Sequence, residues 1–439
     1  MANNINSISF FRYHPADNFL QVFSYLLFFF ISIEKTMWHV NSIYKRMIKN
    51  IEDASCAFLH DMDLVCFSHL RWGFVYQRPQ HLLIRFAKHT RVFFCEEPIT
   101  HTGPDKLVIS NESKNLYVVV PHLQHDKDEC AVERQKKLLT HLITSMKINQ
   151  FFSWYYTPMA LPFTEHLSPE FVVFDCMDEL SAFKFAPVEL KKREMQLMEK
   201  ADVVFTGGHS IYEAKKQDHP NIHPFPSSID KSHFGLARSI KKDPQDQAKI
   251  PHPRFGFAGV IDERLDIELV AMVAASRPEW HFVMIGPVVK IDPASLPNLP
   301  NIHYLGGKDY KDLPKYIAGW DVAIIPFAMN ESTKFISPTK TPEYLAGGKP
   351  VISTPIKDVV RPYGDHNLVH IAANAEEFIF YAEKELKKRS RKTWLNKVDN
   401  FLSGNSWDRT WSQMVRQIEN IASTQTTSGA INISGKVSV

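Results

Sequence analysis

Short apolar runs alternate with amphipathic stretches along most of this 439-residue chain, and that alternation constrains the fold more than any other feature. The first apolar run, Leu64–Phe67, leads to a helical pattern that opens at Pro79, a residue well tolerated in the first turn of a helix. Another amphipathic helix is predicted at Pro187–Lys200. Strands that alternate with helices predict a parallel sheet covered on both faces. Further strands of this first array are predicted at Val92–Cys95, Tyr117–Val120, Phe171–Phe174 and Val203–Phe205.

The alternation stops at residues 236–252 and then starts again. This segment is polar, charged and contains prolines, which is typical of a linker between domains. The whole chain is also too long for one ordinary hydrophobic core. The second array of strands is predicted at Phe255–Gly259, His281–Ile285, His303–Leu305, Val322–Pro326 and Val351–Ser353.

Two domains therefore follow from the pattern, with shorter segments around them. The polar C-terminal residues have no usable periodicity, so we predict a disordered tail there. The predicted order is an N-terminal segment at 1–61, a Rossmann-like domain at 62–235, the linker at 236–252, a second Rossmann-like domain at 253–390, helices at 391–422 and the tail at 423–439.

The N-terminal segment lies outside the alternation. Its apolar stretch Phe19–Ile33 is interrupted by Gln21 and Ser24, and it is shorter than the roughly 20 residues that a membrane-spanning helix needs. It has no basic leader and no small-residue cleavage site, which argues against a secretory signal. We favour either an extension from an upstream start codon or a peripheral membrane anchor, and a buried extra helix is the third interpretation.

Charge, cysteines and missing motifs narrow the class of protein. The formal net charge of +3 is small for this length and argues against a nucleic-acid partner. Five cysteines without a C-x-x-C pair are typical of free thiols in a reducing compartment, so we expect a cytoplasmic protein. The D-x-D sequence Asp61–Asp63 precedes a strand instead of following it, so we predict no metal site. No G-x-G-x-x-G follows a strand, and no H-E-x-x-H or G-x-S-x-G occurs, which argues against nicotinamide enzymes and hydrolases.

The segment Ser337–Pro355, SPTKTPEYLAGGKPVISTP, carries the most chemical information. Thr339 or Thr341 is suited to cap a helix that ends at a Gly-Gly pair, and a strand follows directly. The free N–H groups at such a helix start bind phosphate, Lys340 adds a positive charge, and Glu343 can accept hydrogen bonds from two neighbouring sugar hydroxyls. The alternative is an ordinary capped helix in which Glu343 complements the helix dipole.

The pattern S-P-x-K-x-x-E-Y-L-A-x-G-x-P-V resembles the donor-binding signature of GT-B-type glycosyltransferases in the large retaining family called glycosyl transferases group 1. The segments FDCMDELSAF, VVFTGGHSIYEAK and FPSSIDKSHF resemble one bacterial subgroup, similar to a teichuronic acid biosynthesis glycosyltransferase. The resemblance extends from Leu64 to about Ile421. It implies an α/β GT-B fold, in which two Rossmann-like domains face each other across a cleft and C-terminal helices cross back. The donor-binding residues it implies are Gly259, Arg264, Pro338, Thr339, Lys340, Thr341 and Glu343.

Two positions depart from the family pattern. Phe335 stands where the family has a second Glu, and Glu331 is out of register with it. The family also has an Arg and a Lys after the first strand of the second domain, whereas this chain has Arg264 as the cation of that loop. Arg264 is either a phosphate ligand or a surface residue paired with Glu263 or Asp266.

Residues of the first domain are predicted to hold the acceptor and to take part in catalysis. The segment after the first strand should border the cleft, although any of its side chains could be packing residues. Asp178 and Glu179 follow a strand, where carboxylates can orient a donor sugar or an acceptor hydroxyl; capping of a helix by Asp178 is the alternative. With Arg264 they are the predicted catalytic residues. The predicted acceptor-binding residues are His69, Arg71, Trp72, Arg78 and Gln80.

We thus expect a hexosyltransferase-type enzyme that moves a sugar from a nucleoside diphosphate sugar to a glycan or lipid-linked acceptor in cell-surface polysaccharide synthesis. By the resemblance it retains anomeric configuration, and no metal or cofactor is expected besides the donor substrate. The expected location is the cytoplasm, with a peripheral contact at the inner face of the membrane. The alternatives are a nucleotide-sugar epimerase of the same fold and a catalytically weak subunit that binds a sugar nucleotide or a glycan.

Overall fold

The computed structural model describes the backbone of residues 57–125 and 129–434, and the side chains of residues 58–125 and 129–423. No helix within these ranges is both long enough and apolar enough to cross a membrane. The apolar segment Phe19–Ile33 lies outside the described residues, so the three interpretations of the N-terminal segment stay open.

The first domain is built on a mostly parallel sheet. In the described part of the chain this sheet has nine strands, in the order β3-β5-β2-β1-β6-β7-β8-β9, and β4 pairs with β5 as the antiparallel strand. The strands are β1 (Asp63–Ser68), β2 (Val92–Glu96), β3 (Ile99–His101), β4 (Lys106–Ser113), β5 (Leu116–Gln124), β6 (Phe151–Tyr155), β7 (Val172–Cys176), β8 (Val203–Thr206) and β9 (Ile222–Pro224).

All five strands predicted for this domain are confirmed, but the central strand β6 was not predicted. The five residues of β6 are buried and lie between β1 and β7. Its sequence FFSWY is aromatic without alternation, and apolar residues continue past its end, so periodicity could not separate a strand from a buried helix. The helices of this domain are α1 (Arg78–Phe86), α2 (Ala131–Ser145), α3 (Leu161–Thr164), α4 (Leu190–Lys200) and α5 (His209–Lys215). The next helix, α6 (Lys231–Gly235), packs into the core of the second domain through Phe234.

The second domain has a six-stranded parallel sheet in the order β12-β11-β10-β13-β14-β15. Its five predicted strands are confirmed, and only the two-residue β15 was missed. The strands are β10 (Arg254–Ala258), β11 (His281–Ile285), β12 (Ile302–Gly306), β13 (Val322–Ile325), β14 (Val351–Ser353) and β15 (His370–Ile371). The helices are α7 (Ile267–Ser276), α8 (Leu313–Ala318), α9 (Lys340–Ala346), α10 (Lys357–Val359), α11 (Ala375–Leu386), α12 (Lys392–Leu402) and α13 (Trp407–Ser434), with a π-helical turn at Val360–Gly364.

The segment predicted as a linker packs against the second domain. Gln247 is completely buried, and its side-chain carbonyl accepts a hydrogen bond from the Trp320 indole N–H at 3.0 Å. Asp243 forms a 2.6 Å salt bridge with Arg254, the first residue of β10. These contacts make residues 243–250 part of the second domain, because each places a polar partner where the domain would otherwise bury an unpaired group.

The last helix returns to the first domain, as the resemblance implied. The Trp407 ring stacks on His81 of α1 with ring centroids 4.5 Å apart, and Trp411 meets Phe86 edge-on at 5.7 Å. Asp408 of α13 forms a 2.7 Å salt bridge with Arg85 of α1. Helix α13 continues to Ser434 and therefore runs through most of the segment predicted as a disordered tail.

Candidate active site

A cleft of about 680 Å³ lies between the two domains. The first domain contributes one segment, residues 72–77, which lies between β1 and α1. The second domain contributes residues that follow β10, β11 and β12 and the first turn of α9. The carboxyl ends of parallel strands commonly carry the ligand site of such sheets, so the cleft has the expected position for an active site.

Bare backbone forms part of the cleft on the second-domain side. Gly286 follows β11 with φ of +146°, and a Cβ atom there would lie 1.8 Å from the carbonyl oxygen of Gly259. A Cβ atom on Gly259 would in turn lie 2.2 Å from Cε of Lys340. Gly286 therefore requires glycine because of the backbone beside it, and Gly259 requires glycine as long as the Lys340 side chain keeps its place.

The signature Tyr344 fastens α9 to β10. Its hydroxyl accepts a hydrogen bond from the Ala258 N–H at 2.8 Å and donates to the Ala258 carbonyl at 3.2 Å. Thr339 occupies the N-cap position without a side-chain capping bond, and Gly348, with φ of +76°, follows the end of the helix. The predicted helix is thus confirmed, and its first turn is directed into the cleft because Tyr344 holds the next turn against the sheet.

Lys340 and Glu343 both line the cleft from the first turn of α9. Neither side chain forms a salt bridge or hydrogen bond with any described residue. The Lys340 ammonium instead lies 5.5 Å from the ring centroids of Phe257 and Phe327. Burial, and next the charge of Arg264, lower the pKa of Lys340, while burial raises the pKa of Glu343. The two charges act on each other, but neither has a direct hydrogen bond or salt bridge, which is a state that a bound ligand can relieve.

Arg264 also lines the cleft, but it has an internal partner. Its Nε and Nη2 atoms donate to both carboxylate oxygens of Asp262, at 2.7 to 3.1 Å. Its guanidinium carbon lies 5.4 Å from the ring centroid of Phe183, which belongs to the first domain. Arg264 is therefore positioned by Asp262, a different carboxylate from the neighbours Glu263 and Asp266 considered in the sequence.

Two of the seven predicted donor residues do not reach the cleft. Pro338 is half-buried, and its carbonyl accepts a hydrogen bond from the Thr341 N–H at 3.2 Å. Thr341 is completely buried, and its hydroxyl has no hydrogen-bond partner within the described residues. Phe335, which replaces the second Glu of the family, packs against the hydrophobic core of the first domain. This position therefore contributes to the domain interface.

The predicted acceptor segment contains side chains that hold the loop in place. Arg71 donates to Glu96 at 2.9 Å and to the Glu97 carbonyl at 2.6 Å. The buried Gln80 side chain donates to the carbonyls of Trp72 and Val75 at 2.8 and 3.1 Å. These contacts shape the 72–77 loop, and Trp72 is the one predicted acceptor residue that lines the cleft.

Arg78 and His69 lie away from the cleft lining. Arg78 is 3% exposed and forms a bidentate salt bridge with the fully buried Asp175, with contacts of 2.8 to 3.1 Å. It also donates to the Phe225 carbonyl at 2.6 Å. The His69 Nδ1 atom is buried without a hydrogen-bond partner among the described residues, and burial lowers the pKa of His69 to about 4. His69 is therefore neutral near pH 7.

Asp178 and Glu179 are neighbours with different surroundings. Burial raises the pKa of Asp178 to about 6, against the opposing charges of Arg264 and Arg78. The following helical turn has no side-chain cap, so the capping alternative for Asp178 is not observed. Glu179 forms a 2.7 Å salt bridge with Lys215. Burial alone would raise the pKa of Glu179, but the hydrogen bonds from Lys215 and Ser181 lower it. Glu179 is therefore held inside the first domain.

Several cleft residues were not predicted from the sequence. Tyr76 and Tyr310 line opposite sides and stack on each other, with ring centroids 4.4 Å apart. Lys308 lines the cleft beside them and forms a 2.8 Å salt bridge with Asp246. All of them follow strand ends, which was the available signal. Among the described residues, no group of three or more His, Cys, Asp or Glu side chains could hold a metal ion.

Comparisons with known proteins agree with this architecture. Residues 252–386 match the protein family described as Glycosyl transferases group 1. The chain is 24% identical over 291 residues to a Bacillus subtilis (strain 168) protein named as a teichuronic acid biosynthesis glycosyltransferase, covering 60% of this chain and 70% of that protein.

Two solved structures share the fold. Sucrose-phosphate synthase from Thermosynechococcus elongatus has a TM-score of 0.56 and 13% identity, covering 85% of this chain and 100% of that one. Anabaena Alr3699/HepE in complex with UDP and glucose has a TM-score of 0.57 and 12% identity, covering 81% and 99%. The two domains, the cleft and the returning helix are thus the GT-B fold, and the protein is a glycosyltransferase. Its second domain carries the similarity to the group 1 family.

Proposed function

We propose that the chain transfers a glycosyl group from a nucleoside diphosphate sugar, held on the second domain, to a glycan or lipid-linked acceptor held on the first. The observation that carries this proposal is the pair of uncommitted charges on α9. Lys340 offers a cation for a diphosphate, and Glu343 offers a carboxylate for the two hydroxyls of a ribose. The Anabaena protein is a structural neighbour that is described in complex with UDP and glucose, which supports the same assignment here.

The leaving diphosphate would be stabilised by protein cations instead of a metal ion. Lys340 and Arg264 both line the cleft, and fixed charges in such a poorly solvated site stabilise developing negative charge strongly. The reaction should therefore continue in excess chelator. Loss of activity with chelator, restored by manganese or magnesium, would assign the leaving group to a metal ion.

On the acceptor side, we assign the exposed aromatic loop to sugar binding and Asp178 to orientation of the attacking hydroxyl. Trp72 and Tyr76 line the cleft, and aromatic faces combined with a polar edge suit a hydroxyl-rich ligand. Asp178 is within electrostatic reach of Arg264 and Lys340, since their pKa values respond to it. The assignment of a retaining mechanism follows the resemblance of Ser337–Val351 to the family signature.

A role in cell-surface polysaccharide synthesis and a contact with the inner face of the membrane complete the proposal. The first is supported by the name of the Bacillus subtilis relative. For the second, the exposed basic run Lys387–Lys392 is a weak candidate, because Glu385 already pairs with Lys388 and with Arg391. The other candidate, Phe19–Ile33, lies outside the described residues.

A two-step assay tests the proposal. A thermal-shift screen across nucleotide sugars selects the donor, and release of free nucleoside diphosphate is then measured with and without glycan acceptors. The transferase should release nucleoside diphosphate only when an acceptor is present. An epimerase would convert the donor sugar without releasing nucleotide, and a binding subunit would give a thermal shift with no release under any condition.

A further inference from the structure

The ring of Tyr310 is fixed on both sides, by Tyr76 of the first domain and by His233, whose neighbour Phe234 belongs to the core of the second domain. Tyr310 lies in the loop after β12 and stacks on Tyr76 of the first domain at 4.4 Å and on His233 at 4.5 Å. Phe234 meets its ring edge-on at 5.5 Å, and the His233 imidazole is 3.0 Å from the Tyr310 carbonyl oxygen. Rings packed in this way lose little further freedom when a ligand binds, so the hydroxyl position is set in advance.

The hydroxyl of Tyr310 forms no hydrogen bond with any described residue. Its oxygen is buried, and buried tyrosine hydroxyls normally have a hydrogen-bond partner. Tyr310 lines the same cleft as Glu343. Burial first and then the Glu343 charge raise the pKa of Tyr310, so the group is a protonated donor that lies within electrostatic reach of the carboxylate.

From this geometry we propose that the Tyr310 hydroxyl is a second ribose-binding group, which donates to one ribose oxygen of the donor nucleotide while Glu343 accepts from the ribose hydroxyls. This inference rests on the proposed function, and it adds a residue that the sequence pattern did not indicate. A ligand oxygen at this place would supply the partner that the buried hydroxyl lacks. The Tyr76 stack further links the site to the first domain.

Calorimetry of Tyr310→Phe tests the inference, because this change keeps the stacked ring and removes only the oxygen. The probes are ADP, CDP, GDP and UDP with their 2′-deoxy and 3′-deoxy forms. The ribonucleotide that binds the unaltered protein best should bind Tyr310→Phe about tenfold more weakly. For one of the two deoxy forms, the affinities of the two proteins should be equal. Tyr316→Phe is the matched control, since the Tyr316 hydroxyl donates to Asp246 at 2.9 Å and its ring does not line the cleft.

The outcomes separate this inference from the proposed function. If Glu343→Ala weakens nucleotide binding while Tyr310→Phe binds every probe as the unaltered protein does, the inference fails and the proposed function stands. An equal loss for ribo and deoxy forms would assign the hydroxyl to another part of the nucleotide and overturn the ribose assignment. A preference of the unaltered protein for a deoxy form would also overturn it. If no nucleoside diphosphate binds the unaltered protein, the proposed function fails as well.

Discussion

Each wall of the cleft has a dense group of charged and aromatic residues after a strand. The charges of the two walls nevertheless differ in their partners. On the second-domain wall, Lys340 and Glu343 form no salt bridge or hydrogen bond with any described residue, whereas Arg264 and Lys308 pair with Asp262 and Asp246. On the first-domain side, Arg71 and Arg78 are bound to Glu96 and Asp175. A polar cluster at a strand end therefore predicts the position of a site but not which of its members bind ligand.

The partners themselves decide the roles. Burying an unpaired charge is unfavourable, so a charge without a partner in a cleft is expected to meet one in the ligand. A charge such as Arg78, which is bound to a buried bidentate partner and does not line the cleft, already has its hydrogen bonds satisfied and contributes to the fold.

Replacement of Arg78 should affect stability and not substrate binding. Arg78→Ala leaves Asp175 buried without a partner, which should lower the free energy of unfolding by about 3–5 kcal/mol. Arg91→Ala is the matched control, because Arg91 also forms a bidentate pair, with Asp63, but its side chain is 36% exposed compared with 4% for Arg78. The replacement of Arg91 should cost less than the replacement of Arg78, because water reaches the Arg91 side chain. Denaturant titration measures both. Normal stability of Arg78→Ala with weakened acceptor use would restore Arg78 as a ligand residue.

Protonation of Asp178 should lower the transfer activity at acidic pH. Its pKa of about 6 means that the carboxylate is ionised above that pH. If the ionised form orients the acceptor, transfer should fall as the pH drops through about 6. Asp178→Asn should remove this acidic limit and reduce turnover by roughly 10²-fold or more. A pH profile of both proteins measures the effect, and an unchanged acidic limit in Asp178→Asn would assign it to another group.

The free energy of unfolding should depend on pH in the opposite direction to the activity. A raised folded-state pKa means that the folded protein binds the proton more tightly than the unfolded chain. Stability from this group is therefore present at low pH and is lost as the pH rises towards 6. Asp178→Asn should accordingly be more stable than the unaltered protein at pH 7. Glu179→Gln is the contrasting control, because loss of the salt bridge between Glu179 and Lys215 should make that variant less stable than the unaltered protein.

Two lysines of the same cleft should differ in their effect on nucleotide binding. Lys340→Ala should weaken the affinity for the nucleoside diphosphate by roughly 10- to 10²-fold and leave the affinity for the bare nucleoside unchanged, because the ammonium is assigned to the phosphates. Lys308→Ala removes a lysine that is already paired with Asp246, so its effect should be several-fold smaller. Equal losses for the two variants would mean that pairing does not decide the role.

Much of the fold could be predicted because strand and helix periodicity are local properties. All ten predicted strands are present, and the signature helix begins at Lys340. The central strand β6 was missed because burial of a short aromatic run depends on its neighbours β1 and β7, and these are remote in sequence. The packing of residues 243–250 was missed for the same reason, since the partners of Gln247 belong to the second domain.

The candidate site was predicted less completely than the fold. The motif predicted the cleft residues Lys340 and Glu343 because their chemistry is local to one helix turn. The role of Arg78 could not be inferred, because its partner Asp175 lies 97 residues further along the chain. Tyr310 follows a strand end, but its role could not be inferred from that position, since it depends on a buried hydroxyl and on a stack with a residue of the other domain.

Calorimetry of Glu343→Ala with the nucleoside diphosphate of the selected donor measures whether the Glu343 carboxylate binds the ribose. Loss of charge-assisted hydrogen bonds to the ribose should weaken binding by roughly 10²–10⁴-fold, and Glu343→Gln should lose less because it keeps one acceptor oxygen. Glu331→Ala is the control, since that exposed carboxylate is paired with Lys334 and should not matter for binding. If Glu343 only complements the helix dipole, its loss changes stability by about 0.3–1 kcal/mol and leaves affinity unchanged. Unchanged affinity in folded Glu343→Ala would contradict the account.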